Sequence, residues 1–290
     1  MNRICLILLL ACATPSAFAA SAVGLRTQGE ALFRDGKLDE AAEAFEQAIE
    51  LAPGDAAAHH LLGATYGRQA GAASMFGKMR LAGKIREHFE RAVALAPDEL
   101  DYRESLIQYY AQAPAIAGGG IDKAKAQAVE IGKRDAVRGK VADGLVARMQ
   151  GKTDEALAAY RAACALRPGD VRLGVQLGLY LQELERWDEA FGQFQSIVSR
   201  TPDAMPAWYQ LGRTAVLANA RHADGEAALK RYLGSTPTVQ DPPLAAAHWR
   251  LGMLYEQIKR AADARAQYKA ALRLDPEHAE AKSALRKLKV

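Results

Sequence analysis

The chain has 290 residues, half of them apolar, 7% aromatic and 25% charged, with a formal net charge of +4. Acids and bases are interspersed along it, which sets aside the single-sign footprint of a nucleic-acid binder. A composition rich in Ala and poor in aromatics sets aside a strand-dominated core, which draws on Val, Ile and aromatic side chains.

The chain opens with Arg3, an apolar run from Ile4 to Leu10, and Ala17-Phe18-Ala19 before Ala20. This pattern predicts a bacterial secretory signal peptide over residues 1–19, and so an exported, periplasmic or secreted protein. The apolar run is short and is followed by Pro15, which argues against a spanning helix of about 20 residues. An alternative is lipid attachment at Cys12, since Leu9-Leu10-Ala11-Cys12 resembles a lipobox. Loss of the leader removes Cys5 and Cys12, leaving Cys164 as the one mature thiol, with no intramolecular disulfide. Its place after the small residues of a helix predicts a buried, inert group.

Beyond the leader a period governs. Gly29 and Pro53, Gly144 and Pro168, Gly178 and Pro202, and Gly252 and Pro276 share one spacing, and Gly212–Pro237 and Gly63–Pro97 are longer versions of it. Between each Gly and Pro lies a small–large–small stripe at i, i+4, i+7. It reads Ala41-Phe45-Ala48, Ala156-Tyr160-Ala163, Ala190-Phe194-Ile197 and Ala264-Tyr268-Ala271. Such a stripe occupies one helix face. Its small ends admit a neighbouring backbone, and Gly in the preceding helix serves the same approach. Gly36-Lys37, Gly151-Lys152 and Glu185-Arg186 supply turns, and each Pro stops the second helix. Seven helix–turn–helix units follow, at about 22–55, 56–99, 100–136, 137–170, 171–204, 205–238 and 245–278, capped by the basic segment 279–290. Gly234–Pro243 reads as a long loop, not a domain boundary.

Two segments break the period. One is the extra stretch Gly71–Arg80 in the second unit. The other is Gln112–Ala117, containing Pro114 and running into Gly118-Gly119-Gly120 in the third. Both fall at inter-helix turns of adjacent units, so they should project near one another on one edge. Insertions in repeat arrays often mark a binding face, and the alternative is that one packs on the other to patch a weak unit. The triple Gly before Asp122-Lys123 lacks phosphate-loop spacing and follows no strand, so it predicts a flexible turn. The six His residues show no metal-ligand spacing, and no catalytic constellation is evident.

The Gly29/Leu32/Ala41/Phe45/Ala48/Pro53 set and the Leu251-Gly252/Tyr255/Ala264/Tyr268/Ala271/Pro276 set resemble the tetratricopeptide repeat, TPR, in an exported bacterial form. The resemblance implies an all-α, TPR-like α-solenoid, a right-handed superhelix whose concave surface is lined by the first helix of each repeat. Carried over slot by slot, it implies groove positions at Arg68 and Gln108 in the early units. In the later ones it implies Leu145, Arg148, Leu179, Tyr209, Arg213, Trp249 and Met253, a largely apolar lining with Arg at its edges. The Lys and Asn with which some TPR domains clamp a peptide C-terminus are replaced at their slots by Arg26/Glu30, His60/Ala64 and Glu104/Gln108. What the resemblance implies is a non-catalytic protein- or peptide-binding scaffold of the cell envelope, its partner held in the C-terminal groove, with no cofactor, metal or nucleic acid and no transmembrane segment in the mature chain. Alternatives are an assembly subunit that binds through the inserted edge, and an enzyme with a site near Arg68, Arg80 and the triple Gly.

Overall fold

The computed structural model describes residues 15–288, with side chains from residue 21. Residues 1–14, which carry most of the expected leader and both Cys5 and Cys12, lie outside the described residues. Helices succeed one another in pairs: α1 (Pro15–Arg34) and α2 (Leu38–Leu51), α3 (Ala56–Ala72) and α4 (Met75–Leu95), α5 (Leu100–Gln112) and α6 (Ile121–Arg134), α7 (Ala136–Met149) and α8 (Thr153–Leu166). They continue with α9 (Val171–Glu183) and α10 (Trp187–Arg200), α11 (Met205–Ala218) and α12 (His222–Leu233), α13 (Leu244–Gln257) and α14 (Ala261–Leu274), and end on α15 (Ala279–Lys287). No strand occurs among the described residues.

Local chemistry sets the ends of these helices. Asp55, Ser74, Asp135 and Asp170 each accept a backbone N–H in the first turn of α3, α4, α7 and α9, satisfying donors that have no partner within the helix. Pro53, Pro97, Pro168, Pro202 and Pro276 each stand two residues past the last residue of α2, α4, α8, α10 and α14. Between paired helices the chain turns through positive φ at Gly36 and Gly151, and at the non-glycine residues Glu185 and Lys259.

The stripe works as the spacing predicts. A Cβ on Gly178 of α9 would stand 2.5 Å from the Phe194 ring of α10, and one on Gly252 of α13 would stand 2.5 Å from the Tyr268 ring of α14. Gly29 against Phe45 and Gly63 against Phe89 repeat the arrangement. Each aromatic is thus seated on bare backbone, and the flanking Ala41, Ala48, Ala190, Ala264 and Ala271 are buried. The helices form two compact units, one reaching Ala159 and the other starting at Tyr160, so the division falls within α8. In unit 1 the core gathers around Phe45, Leu62, Phe89, Leu106, Ile107 and Ile131. In unit 2 it gathers around Leu229, Tyr232, Leu251, Leu254 and Tyr268.

The inserted segments do not form floppy loops. Residues 71–80 lengthen α3 and α4 to 17 and 21 residues, joined by a tight turn at Ala73-Ser74. The second segment makes a 3-10 turn, Ala115–Ala117, that packs on α4. The Tyr109 hydroxyl ties the two together, lying 2.8 Å from the Ala82 carbonyl and 2.6 Å from the Ala117 carbonyl. The triple Gly is the hinge of this turn. Gly118 has φ +84° with the Arg86 side chain against it, and a Cβ on Gly119 would overlap the Ala113 carbonyl. The Gly119 and Gly120 N–H groups donate to Pro114 and Tyr110 carbonyls, so the donors a phosphate loop would offer are already engaged. The Pro-rich segment after α12 is also held: the Tyr232 hydroxyl donates to the Pro242 carbonyl, and Thr238 donates twice to Asp241.

Candidate functional site

In unit 2 the first helices of successive pairs, α9, α11 and α13, stand side by side. Their facing turns carry Gln182, Gln210, Arg213, Thr214, Trp249, Arg250 and Met253. Gln182 is buried, and its amide donates 2.7 Å to the Thr214 hydroxyl, which itself donates 2.7 Å to the Gln210 carbonyl. That network leaves the Gln182 Oε1 atom as acceptor for Arg213 Nη1, which also donates 3.3 Å to Gln210 Oε1. One helix further, the Arg250 guanidinium lies 4.1 Å over the Trp249 ring, with Nη1 3.8 Å from the Met253 sulfur. Its Nε is buried without a hydrogen-bond partner. The Arg213 guanidinium sits below its ordinary value, first because burial strips its water and next because the Arg250 charge repels it. Neither arginine forms an ion pair among the described residues, whereas Arg26, Arg134, Arg138 and Arg260 all do. Two guanidinium groups held near each other, partly dehydrated and facing no carboxylate, form a place where an anionic group would be stabilised.

Other anticipated groove residues are distributed differently. Tyr209 is 7% exposed, its ring 5.3 Å from Tyr232, and so belongs to the core of unit 2. Leu179 is exposed on α9, one turn before Gln182. Trp249 is half-buried, between Arg250 and the His278 ring at 5.4 Å. In unit 1, Leu145 packs partly buried against the core and Arg148 is exposed. Gln182 and Arg250 were missed by slot assignment, each for a legible reason. On α9 the resemblance supplies only Leu179, three residues before Gln182. Arg250 lies one position from Trp249, and no Asp or Glu stands three or four residues from it on α13; the absence of the usual helix-face partner was the available signal.

Unit 1 holds a second concavity, about 580 Å³, between α3, α4 and α5. Arg68 and Gln108 line it, with Gly71 and Lys78 from the first inserted segment and Gln112 and Pro114 from the second. Arg68 is anchored through a 2.7 Å bond to the Phe33 carbonyl and lies over the Phe33 ring. Arg80, grouped with Arg68 from the sequence, does not line this groove.

No group of three or more His, Cys, Asp or Glu that could hold a metal ion occurs among the described residues. His59 and His88 do meet, Nδ1 to Nδ1 at 3.0 Å. His59 Nε2 faces the Pro53 carbonyl at 3.3 Å, so it carries the proton there and His88 donates to the unprotonated His59 Nδ1. Burial is the largest cause holding His59, His88 and the neighbouring His60 below the ordinary 6.5. These rings stay neutral in the fold while unfolded histidines protonate near 6.5. The unfolded chain then takes up more protons, so the stability they confer is complete above that value and is lost as pH falls below it. Urea midpoints measured from pH 8 to pH 5 should fall across the acid half of that range, and His88→Gln should flatten the fall. An unchanged slope in His88→Gln would remove the pair as the cause. Cys164 is half-buried beside a pocket of about 230 Å³, and burial pushes its thiol up, which disfavours the reactive thiolate.

Paired helices repeated along the chain, each pair packing on the next, define a helical-repeat protein. Sequence profiles of the tetratricopeptide repeat match residues 29–69, 175–242 and 245–278. The chain is a tetratricopeptide repeat protein, with the all-α solenoid fold of that family. No curated protein matches it by sequence. A tetratricopeptide repeat protein from Parabacteroides merdae superposes with TM-score 0.52 at 14% identity, over 93% of this chain and 99% of that one. Human IFIT1, in a dimer with m7Gppp-AAAA, gives TM-score 0.57 at 19% identity, over 96% of this chain and 63% of its own. Likeness at these identities is likeness of fold. Repeats of this family generally mediate protein–protein interaction and typically act as non-catalytic scaffolds.

Proposed function

We propose that this chain is an exported, non-catalytic scaffold of the bacterial envelope, holding an acidic peptide segment of a partner protein against the unit 2 wall. The observation that carries this reading is the pair Arg213 and Arg250, two guanidinium groups that repel each other and form no ion pair among the described residues. A carboxylate, from an Asp or Glu side chain or from a chain terminus, relieves the repulsion between the two guanidinium groups. Leu179, Trp249 and Met253 lie along the same wall, so an acidic group flanked by apolar side chains suits it. The mixed surface charge supports a peptide and not a nucleic acid. Export rests on the leader pattern of residues 3–19, and chain recovered from the native host should then begin at Ala20.

The test is selection of displayed random dodecapeptides on the purified protein. Acidic peptides with an adjacent apolar residue should be enriched, and Arg213→Ala with Trp249→Ala should lose them while circular dichroism stays helical. Enrichment that ignores acidity, or that survives both substitutions, would overturn the reading. A second reading, an assembly partner seated in the unit 1 groove, is favoured by one observation: both inserted segments line it. Capture through that groove would survive the unit 2 substitutions and vanish on deletion of residues 72–80.

A further inference from the structure

The inserted segments carry apolar side chains that the groove does not use. Ser74 accepts the Gly77 N–H and starts α4 at Met75, which places Met75, Phe76 and Met79 within the first turn and a half of that helix. Phe76 is 91% exposed, Met75 75% and Met79 44%. The 3-10 turn, which packs on α4 where the Tyr109 hydroxyl bridges Ala82 and Ala117, leaves Ile116 84% exposed. None of the four lines the 580 Å³ groove. Unbranched and aromatic side chains at such exposure lose free energy to water unless something covers them.

Charge narrows what can cover them. Residues 56–86 contain no Asp or Glu, but carry Arg68, Lys78, Arg80, Lys84 and Arg86. Lys84 approaches Glu46 of α2 at 3.9 Å, and Arg86 approaches Glu90 one turn along α4 at 3.8 Å. The Lys78 and Arg80 side chains, next to the exposed apolar set in the first turns of α4, are exposed and form no ion pair or hydrogen bond among the described residues, although Lys78 also borders the groove. A short apolar tip backed by free cations matches an anionic bilayer interface, where acyl chains receive the apolar side chains and lipid phosphates receive the Lys and Arg. A concave acidic protein surface would satisfy the charges, but it would need a pocket deep enough for four side chains from two separate segments. We infer that the edge formed by Met75, Phe76, Met79 and Ile116, with Lys78 and Arg80, docks the protein onto an anionic lipid surface. This is independent of the unit 2 peptide wall, and either can fail without the other.

Flotation of the full chain with vesicles tests it, comparing phosphatidylcholine alone with phosphatidylcholine containing 30 mol% phosphatidylglycerol. The unmodified chain should float with the anionic vesicles, and added salt should release it. Lys78→Gln with Arg80→Gln should weaken that binding roughly thirtyfold, the loss of two surface cations near anionic lipid. Met75→Ser with Phe76→Ser should weaken it on both vesicle types. All these side chains are exposed, so helix content by circular dichroism should not change. The leader's own apolar run is common to every chain compared, so the differences between chains are the readout. Binding to anionic vesicles that both variants leave intact would overturn the inference. So would sedimentation velocity showing a dimer that Phe76→Ser dissolves, since a second copy would then be the cover.

Discussion

Gly178→Val should destabilise unit 2 by about 3 kcal/mol, while Gly192→Ala, on the exposed face of the next helix, should stabilise it by up to about 1 kcal/mol. Both are glycines inside helices and both substitutions improve helix propensity, so propensity predicts the same sign for each. Packing separates them. A Cβ at Gly178 would sit 2.5 Å from Phe194 ring carbons, and Phe194 is fully buried with no freedom to retreat. A Cβ at Gly192 meets nothing within 4 Å. Urea unfolding followed by circular dichroism gives both values, and Phe194→Leu completes a double-mutant cycle with Gly178→Val. If the ring is the obstacle, the two changes should couple favourably by at least about 1 kcal/mol. Strict additivity, or stabilisation by Gly178→Val, would mean that the aromatic does not rest on the glycine.

Arg250→Met should weaken capture of a selected acidic peptide about ten- to hundredfold, the worth of a charge-assisted hydrogen bond, and change unfolding stability by no more than about 1 kcal/mol. The two readouts diverge for a stated reason. Arg250 contributes its contact with the Trp249 face, about 0.5–1 kcal/mol. It also imposes a buried, unpartnered Nε and repulsion of Arg213. Methionine keeps much of the apolar stem and removes both penalties. A residue that is near-neutral for folding and strongly required for binding is one retained for a ligand. Arg213 is a poorer probe, because its loss would leave the buried Gln182 Oε1 without its donor. Comparable losses of stability and of capture in Arg250→Met would make the guanidinium a structural group and leave the peptide reading without its anchor.

The repeat architecture was legible in the chain because each mark answers a local requirement. Pro past a second helix, Gly under an aromatic and Ala at i and i+7 act within one hairpin or between adjacent helices, so spacing along the sequence reports them directly. Glu185-Arg186 was readable as a turn from its position alone, even though Glu185 adopts positive φ without being glycine. The candidate site was only partly legible. Arg213, Trp249 and Met253 were reached by slot, but the same rule offered Tyr209, which the structure puts in the core beside Tyr232. One position on a helix is a rotation of 100 degrees, enough to turn a side chain from wall to core. Periodicity does not resolve which side of that boundary a residue takes.

The amino-acid sequence by itself determined the class of fold, the number and order of hairpins and the place of both insertions, since hydrophobic period and backbone breakers are properties of neighbouring residues. Tertiary structure alone decided that Arg250 and Arg213 repel each other with no ion pair among the described residues, that the triple Gly spends its N–H groups on carbonyls, and that Phe76 and Ile116 stay exposed. Those facts depend on helices far apart in the chain and on which side chains have already found partners. Pairing of charges and closure of hydrogen bonds are settled in space, not along the chain.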